Sequence, residues 1–209
     1  MTRASTPALL ALHGVRILGF ADSPAVARRF GLDPDQVAEL LLDYEAMGWV
    51  QRAGFAGTTG WSLSDLGRVE NELMLSAELG EYGVREAVES AHKKFAETNP
   101  RLLDSITKWQ VRPESWDPLA VNDHTDWRWD ERVLQSLAGT ASWLVRLEED
   151  LRECLLRFSG YADRFAAALA RAEQGQRRWV DEPGIDSCHA VWFELHEDLL
   201  ATLGLERGG

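Results

Sequence analysis

The sequence predicts a mainly α-helical protein with one small β hairpin near its N-terminal end. Apolar residues recur at helical spacing over most of the chain, and a glycine-rich tip separates two short extended runs within residues 50–63. One long stretch, residues 111–130, lacks a clear periodicity. Apolar residues make up 45% of the 209 residues and charged residues 27%, as is normal for a folded globular protein.

Three helices are predicted before the hairpin, over residues 7–19, 23–30 and 33–47. Gly31 supplies the turn between the second and the third, and Gly48 ends the third. The third helix has one apolar face, formed by Val37, Leu40, Leu41, Tyr44 and Met47. After the two strands, Ser64 caps a new helix. Two short helices joined by a tight turn and followed by a two-stranded wing predict a winged helix-turn-helix.

Two short motifs within residues 8–80 carry a family resemblance. Gly48-Trp49-Val50 is followed by Arg52, and Trp61-Ser62-Leu63-Ser64 is followed by Gly67-Arg68. In these motifs the chain resembles the winged-helix transcriptional regulators of the MarR and PadR type, which read roughly GLVxR and LTxxGR at these positions. The resemblance implies a winged-helix domain over residues 1–80 and a homodimer formed through the long helices that leave the wing. Winged helices also serve as protein-binding modules, so the resemblance identifies a fold better than a function.

The remaining residues, 81–209, predict a second, helical domain. Helical patterns continue to about residue 97 and then cover 101–110, 130–158 and 161–173. A last helix over 187–203 has Asp186 as its N-cap and Gly204 after its end. Because three tryptophans lie in residues 111–130, we expect this irregular segment to fold back over the helices. We interpret the whole as a tryptophan-rich domain for ligand sensing and dimerisation.

The net charge of −12 is unfavourable for nucleic-acid binding. Residues 1–63 hold five arginines, no lysine and six acids, a net charge of −1, and the remaining −11 lies in residues 64–209. The third helix exposes Asp35, Glu39 and Leu42 opposite its apolar face, and the wing tip lacks a basic residue. We therefore expect DNA binding to be weak and salt-sensitive, and a basic protein partner fits this surface at least as well.

Ten residues are the candidates for contact with DNA or a protein partner. They are the arginines of the first domain, the polar and apolar residues on the outer face of the third helix, and two threonines at the wing: Arg16, Arg28, Arg29, Arg52, Asp35, Gln36, Glu39, Leu42, Thr58 and Thr59.

The tryptophan content is high, with nine in the chain and seven of them after residue 100. A single tryptophan is more often a core residue than a ligand contact. The set as a whole favours a pocket for an apolar or cationic small molecule, lined by two or three of them. His189, Trp192 and His196 lie on one face of the last helix. The predicted pocket residues are Trp109, His124, Trp127, Trp129, His189, Trp192 and His196.

The sequence offers no support for an enzyme. His124 lies in a polar turn and could act as a general base, but it accompanies no recognisable nucleophile motif. His189 and His196 are roughly 10 Å apart along a straight helix, too far for one metal ion. We therefore predict no metal and no cofactor, with an enzyme or metal-binding protein as a second alternative. Cys154 and Cys188 are read as reduced buried thiols. No run is long and apolar enough for a membrane span and no signal peptide is recognisable, so we expect a cytoplasmic protein.

Overall fold

A computed structural model describes residues 3–55 and 58–206. The described part of the chain contains eight α-helices and one antiparallel two-stranded sheet, which confirms the mainly α prediction. In chain order the elements are α1 (Pro7–Leu18), α2 (Ser23–Phe30), α3 (Pro34–Ala46), β1 (Val50–Phe55), β2 (Thr58–Leu63), α4 (Asp65–Tyr82), α5 (Arg85–Gln110), α6 (Trp127–Cys154), α7 (Tyr161–Glu173) and α8 (Cys188–Leu203). Two 3₁₀ turns cover Leu156–Phe158 and Arg177–Trp179.

Side-chain caps start the first four helices. The side chains of Thr6, Asp22, Asp33 and Ser64 each accept a hydrogen bond from a backbone N–H of the first turn of α1, α2, α3 and α4 respectively. The predicted cap at Ser64 is therefore confirmed. Gly31 ends α2 in the left-handed conformation, with φ of 66°, as a tight turn between two helices requires.

The helix boundaries differ from the prediction at Pro100. We expected one helix to end near residue 97 and another to begin at Arg101, but α5 continues through Pro100 without a break. A proline inside a helix costs about 3 kcal/mol. Phe95, Leu102 and Ile106 are buried on one face of α5. Each such side chain contributes about 1.5–3 kcal/mol, so the three together exceed the cost of the proline.

The irregular segment between α5 and α6 turns back to the end of α5. Val111 forms an antiparallel bridge with Val121, and the N–H of Asn122 donates to the carbonyl of Gln110 at 2.8 Å. Trp116, at the far end of this loop, is 81% exposed. Helix α6 begins at Trp127, three residues earlier than predicted.

The chain forms two units. Unit 1 comprises Met1–Glu89, Arg152–Arg157 and Glu194–Gly209, and unit 2 comprises Ser90–Leu151 and Phe158–Phe193. The predicted division into residues 1–80 and 81–209 differs, because the ends of α6 and α8 belong to unit 1. The order of the elements in the sequence does not show that residues 152–157 and 194–209 belong to the same unit as the N-terminal helices.

The core of unit 1 lies between α1, α2, α3 and the hairpin. Val37, Leu41 and Tyr44 are buried as expected, while Leu40 is half-buried and Met47 is exposed. In the sheet, Arg52 of β1 lies opposite Trp61 of β2. Trp61 also exchanges both of its backbone hydrogen bonds with Ala21, which ties the hairpin to the segment before α2. The core of this unit is formed by Ala11, Leu12, Val15, Ala21, Val26, Ala27, Val37, Leu41, Tyr44, Val50 and Trp61.

Candidate functional sites

The outer face of α3 is acidic, as the sequence predicts. Leu42 is 50% exposed at its centre. The surrounding exposed residues are Asp35, Gln36, Glu39, Asp43 and Ala46. Because α3 carries no lysine or arginine, this face presents carboxylates and one large apolar side chain to a partner.

Two arginines expected to contact a partner are instead buried inside unit 1. Arg16 is only 7% exposed; its Nη1 lies 2.9 Å from Glu72 Oε1, and its Nε donates to Glu197 Oε1 at 3.1 Å. The side chain of Arg29 is buried as well, and its Nε donates to Glu194 Oε1. The prediction that these two arginines contact DNA is therefore corrected, because each is paired with a glutamate of α8.

The other predicted contact residues lie closer to solvent. Arg28 is exposed, and Arg52 is half exposed, with Nη2 3.3 Å from Glu45 Oε2 and its guanidinium 4.5 Å above the Trp61 ring. Thr59 is exposed on β2. Thr58 begins β2, but its side chain lies outside the described residues, as do residues 56 and 57 of the wing tip.

A buried network of charged residues joins four segments of unit 1. His13 of α1 is fully buried, with Nε2 2.9 Å from Asp198 Oδ1 of α8 and Nδ1 3.3 Å from Asn71 Oδ1 of α4. Arg157 donates through Nε to Glu78 Oε2 at 3.1 Å and through Nη1 to Asp198.

The network lowers the pKa of the Asp198 carboxyl. Burial alone would raise the pKa of the Asp198 carboxyl, but the Arg157 guanidinium and His13 together outweigh burial and hold its pKa well below the usual range. Thr202 completes the network: it accepts from Arg157 Nη2 at 2.7 Å and donates to the carbonyl of Asp198.

Sequence reasoning missed this network. No motif or spacing in the sequence assigns a role to His13, Asp198 or Arg157. The available signal was the position of Asp198, since Val191, Leu195 and Ala201 lie on the same face of the helix, at i−7, i−3 and i+3. Its partners could not be found in this way, because they are 41 to 185 residues distant in the chain.

Helix α4 exposes three large apolar side chains, Leu66, Val69 and Leu73. They follow the spacing i, i+3, i+7, so they form one stripe along the helix. The stripe lies apart from the buried face that contains Leu75 and Leu79.

The predicted pocket residues do not form one lining. Trp192 is packed in the core of unit 2: its ring lies 4.4 Å from that of Phe95, and its Nε1 donates to Asn99 Oδ1 at 2.8 Å. Trp127, in contrast, is 64% exposed. His189 is half-buried, and burial lowers its pKa, with Asp181 opposing the shift in part. His196 belongs to unit 1.

Trp109 and His124 lie together in a compact polar cluster. Their rings are 4.5 Å apart, and His124 Nδ1 is 3.0 Å from Asp130 Oδ2. Asn122 Nδ2 donates to the carbonyl of Trp109 and to Asp130 Oδ1, both at 3.0 Å. Arg177 Nη2 donates to the carbonyl of His124, which has a φ of 58°. These bonds hold the loop after α5 against α6. The cluster therefore stabilises the position of this loop.

A small pocket lies between α5 and α6 in unit 2. It has a volume of about 240 Å³, and of the predicted pocket residues Trp129 lines it. The other lining residues are Asp104, Ser105 and Lys108 of α5 and Arg132, Val133 and Ser136 of α6. Charged, hydroxyl and apolar groups therefore meet within one groove.

Within residues 3–55 and 58–206, no cluster of three or more His, Cys, Asp or Glu residues could hold a metal ion. None of the helices in the same residues has the length and hydropathy needed to cross a bilayer. Comparison with models of known protein families, with curated proteins and with solved structures finds no match for this chain.

Proposed function

We propose that unit 1 is the winged helix of a regulatory protein, and that its α3 binds a basic protein surface rather than the major groove of DNA. The order of α1, α2, α3, β1, β2 and α4 with an antiparallel hairpin supports the winged-helix assignment. The observation that carries the choice of partner is the burial of Arg16 and Arg29 in ion pairs, which leaves α3 with an exposed face that is acidic.

The charge balance of the exposed surface disfavours DNA. DNA affinity comes largely from cations that neutralise phosphates. Of the arginines predicted to bind DNA, Arg28 and Arg52 remain exposed in unit 1, and Arg52 is engaged with Glu45 and Trp61. Asp35, Glu39 and Asp43 on the outer face of α3 would meet phosphates of like charge. Any DNA binding is therefore weak and falls steeply with salt.

The same face suits a protein partner. Exposed apolar side chains surrounded by charged residues are the usual anatomy of a protein interface, with an apolar centre and a polar rim. Leu42 supplies the apolar centre on α3, and the carboxylates around it select a partner with lysines or arginines. The partner that fits is a basic protein with an apolar pocket for Leu42.

We further propose that the protein is a homodimer, joined through the exposed stripe of α4. Leu66, Val69 and Leu73 repeat at the spacing of a coiled-coil seam, and pairing two copies of the stripe would remove three large apolar side chains per chain from water.

DNA binding provides the first test. Fluorescence anisotropy with the DNA upstream of the protein's own gene, at about 0.15 M salt, should show no specific complex. The variant Glu39→Lys reverses one charge on the face that would enter the groove, so it should bind DNA more tightly than the natural chain. Specific nanomolar binding by the natural chain would instead establish a DNA-binding regulator.

A partner is sought by affinity capture from cells that express the protein. The natural chain, Leu42→Lys and the matched control Arg85→Glu are compared, since Arg85 is an exposed residue at the start of α5, remote in sequence from α3. A basic protein that binds the natural chain and the control, but not Leu42→Lys, is the expected result. A partner that binds all three equally would show that α3 is not the binding surface.

A further inference from the structure

We infer that the groove between α5 and α6 in unit 2 is a binding site for small carboxylates that also carry a hydroxyl or ammonium donor, such as α-hydroxy and α-amino acids. The inference concerns unit 2 alone and does not depend on the function proposed for unit 1.

The shape of the groove restricts the ligand to a small one. Its volume of about 240 Å³ lies below the roughly 300–1,000 Å³ of sites for drug-sized ligands. The half-buried ring of Trp129 and the buried side chain of Val133 form its apolar walls. Trp129 is held in place, because its Nε1 donates to the carbonyl of Lys108 at 2.7 Å. The indole therefore offers apolar surface to a ligand, and its donor is already used.

Two serines present hydrogen-bond acceptors to the groove. Ser105 Oγ donates its one hydrogen to the carbonyl of Arg101 at 3.0 Å, and it lies 2.8 Å from Ser136 Oγ. Both bonds form at once only if Ser136 is the donor to Ser105. Ser136 Oγ then has no hydrogen left to donate and keeps its lone pairs. A ligand that meets Ser136 must therefore bring an O–H or N–H of its own.

The charges at the rim select an anion. The ammonium of Lys108 is paired with Asp104 at 2.6 Å. Arg132 is exposed, and its guanidinium lies 5.5 Å from the centroid of the Trp129 ring. No acid within the described residues forms an ion pair with Arg132, so its planar fork of donors is available to a carboxylate. An α-hydroxy or α-amino acid carries both groups that the groove requires, a carboxylate for Arg132 and an adjacent donor for Ser136.

Calorimetric titration of the full chain with four small probes of similar shape tests the site. 2-Hydroxyisovalerate and valine carry both groups, isovalerate lacks the donor, and isobutylamine lacks the carboxylate. At least one of the first two probes should bind about tenfold more tightly than isovalerate and isobutylamine, since an unmet polar group in such a site costs about one factor of ten. No heat from any of the four at millimolar concentration, or equal affinity for all four, would overturn the inference.

Two variants assign the contacts. Ser136→Ala should bring the affinity for the preferred probe down to that for isovalerate, because the acceptor of the ligand's donor is gone. Arg132→Gln should weaken the binding of every carboxylate about tenfold, and Arg128→Gln, at another exposed arginine of α6, should change nothing. If Ser136→Ala retained the full preference for the donor-bearing probe while its circular dichroism matched that of the natural chain, the site would lie elsewhere.

Discussion

At the scale of single residues, Asp198 is the centre of the buried network of unit 1. It is fully buried and contacts both His13 and Arg157. The desolvation penalty of a buried ion pair nearly cancels the attraction between its two charges. Removing one partner, however, leaves the other charge buried without compensation. The network therefore makes unit 1 sensitive to single substitutions, and this sensitivity depends on pH.

Asp198→Asn should lower the free energy of unfolding at pH 7 by about 3–5 kcal/mol, because Arg157 would remain buried with one carboxylate fewer. Urea denaturation measures this change. The matched control is Asp150→Asn in the exposed pair with Lys94, which should cost less than about 1 kcal/mol. An equal loss of unfolding free energy in the two variants would show that a carboxylate of the buried network stabilises the fold no more than one in an exposed ion pair.

The loss of unfolding free energy caused by Asp198→Asn depends on pH, and the sign of this dependence follows from the pKa of Asp198. The pKa of Asp198 is lower in the folded protein than in the unfolded chain, where it is about 3.9. Its contribution is therefore complete above that unfolded value and is lost as the pH falls further towards the folded value. The difference in unfolding free energy between the natural chain and Asp198→Asn should therefore shrink as the pH falls below about 4. A difference that grows below that pH would contradict the assignment.

The thiol of Cys188 should be unreactive in the folded protein. Burial, with a smaller contribution from Glu173, raises its pKa to about 12, and Cys154 is buried as well. At pH 8 a disulfide reagent such as DTNB should modify neither thiol until denaturant is added, after which both should react. Rapid modification of the native protein would show that these thiols are accessible. The expectation from sequence, two buried thiols, agrees with the structure.

At the scale of elements, the space available for a side chain on α4 differs between the two glycines Gly67 and Gly80. Near its start it passes so close to the preceding segment that a Cβ on Gly67 would lie 1.9 Å from the carbonyl oxygen of Trp49. Near its end, a Cβ on Gly80 would meet nothing within 4 Å. The glycine of the Gly67-Arg68 motif is thus explained by a close approach of two backbones.

Gly67→Ala and Gly80→Ala should therefore change the free energy of unfolding in opposite directions. The first forces backbone to move and should destabilise by more than about 2 kcal/mol, as overpacking of a rigid site does. The second replaces a glycine inside a helix and should stabilise by about 0.5–1 kcal/mol. Thermal and urea denaturation of the two variants measure these changes. A neutral Gly67→Ala would mean that α4 can shift away from Trp49 at no cost.

The stripe on α4 predicts how the protein assembles. Leu73→Glu should convert a dimer into a monomer at micromolar concentration, because it places a charge within the apolar seam. Leu42→Glu is the matched control, since the two leucines are 60% and 50% exposed but lie on different helices. Light scattering coupled to size exclusion distinguishes the outcomes. A natural chain that is already a monomer, or a Leu73→Glu variant that remains a dimer, would refute the seam.

Sequence periodicity predicted the elements better than it predicted their partners. The apolar face of α3 and the cap at Ser64 could be found because helical spacing and capping depend on residues close in the chain. The continuation of α5 through Pro100 could not, since it depends on the burial of Phe95, Leu102 and Ile106 by other segments. The same limit applies to the tryptophans: Trp192 is packed in a core while Trp129 borders a groove, and their spacing does not distinguish the two environments.

At the scale of the whole molecule, unit 1 is assembled from three separate parts of the chain. Residues 152–157 contribute Arg157, and residues 194–209 contribute the acids that pair with Arg16, Arg29 and His13. A domain read from the sequence as residues 1–80 would leave His13 and Arg29 without the α8 carboxylates that they contact, and would leave Arg16 with Glu72 but not Glu197. It would also lose the apolar contact of Ala201 with Leu9, Leu10 and Leu75.

A chain that ends at residue 193 should therefore fail to fold its N-terminal unit, although every residue of the predicted winged helix is present. The truncation removes Glu194, Glu197 and Asp198 together with the apolar side chains of the same part of α8. Limited proteolysis should cleave within residues 7–82 of the truncated chain and spare them in the full chain. Amide exchange should show the same difference in protection.

A full-length variant separates the two contributions of α8. Glu194→Gln, Glu197→Gln and Asp198→Asn combined keep its apolar side chains and remove its three buried or half-buried charges. If the carboxylates hold unit 1 together, this variant should be cleaved within residues 7–82 as the truncated chain is. If apolar burial alone suffices, it should resist like the natural chain. A truncated chain that retains full protection of residues 7–82 would show that unit 1 needs neither contribution, and that the buried arginines find other partners.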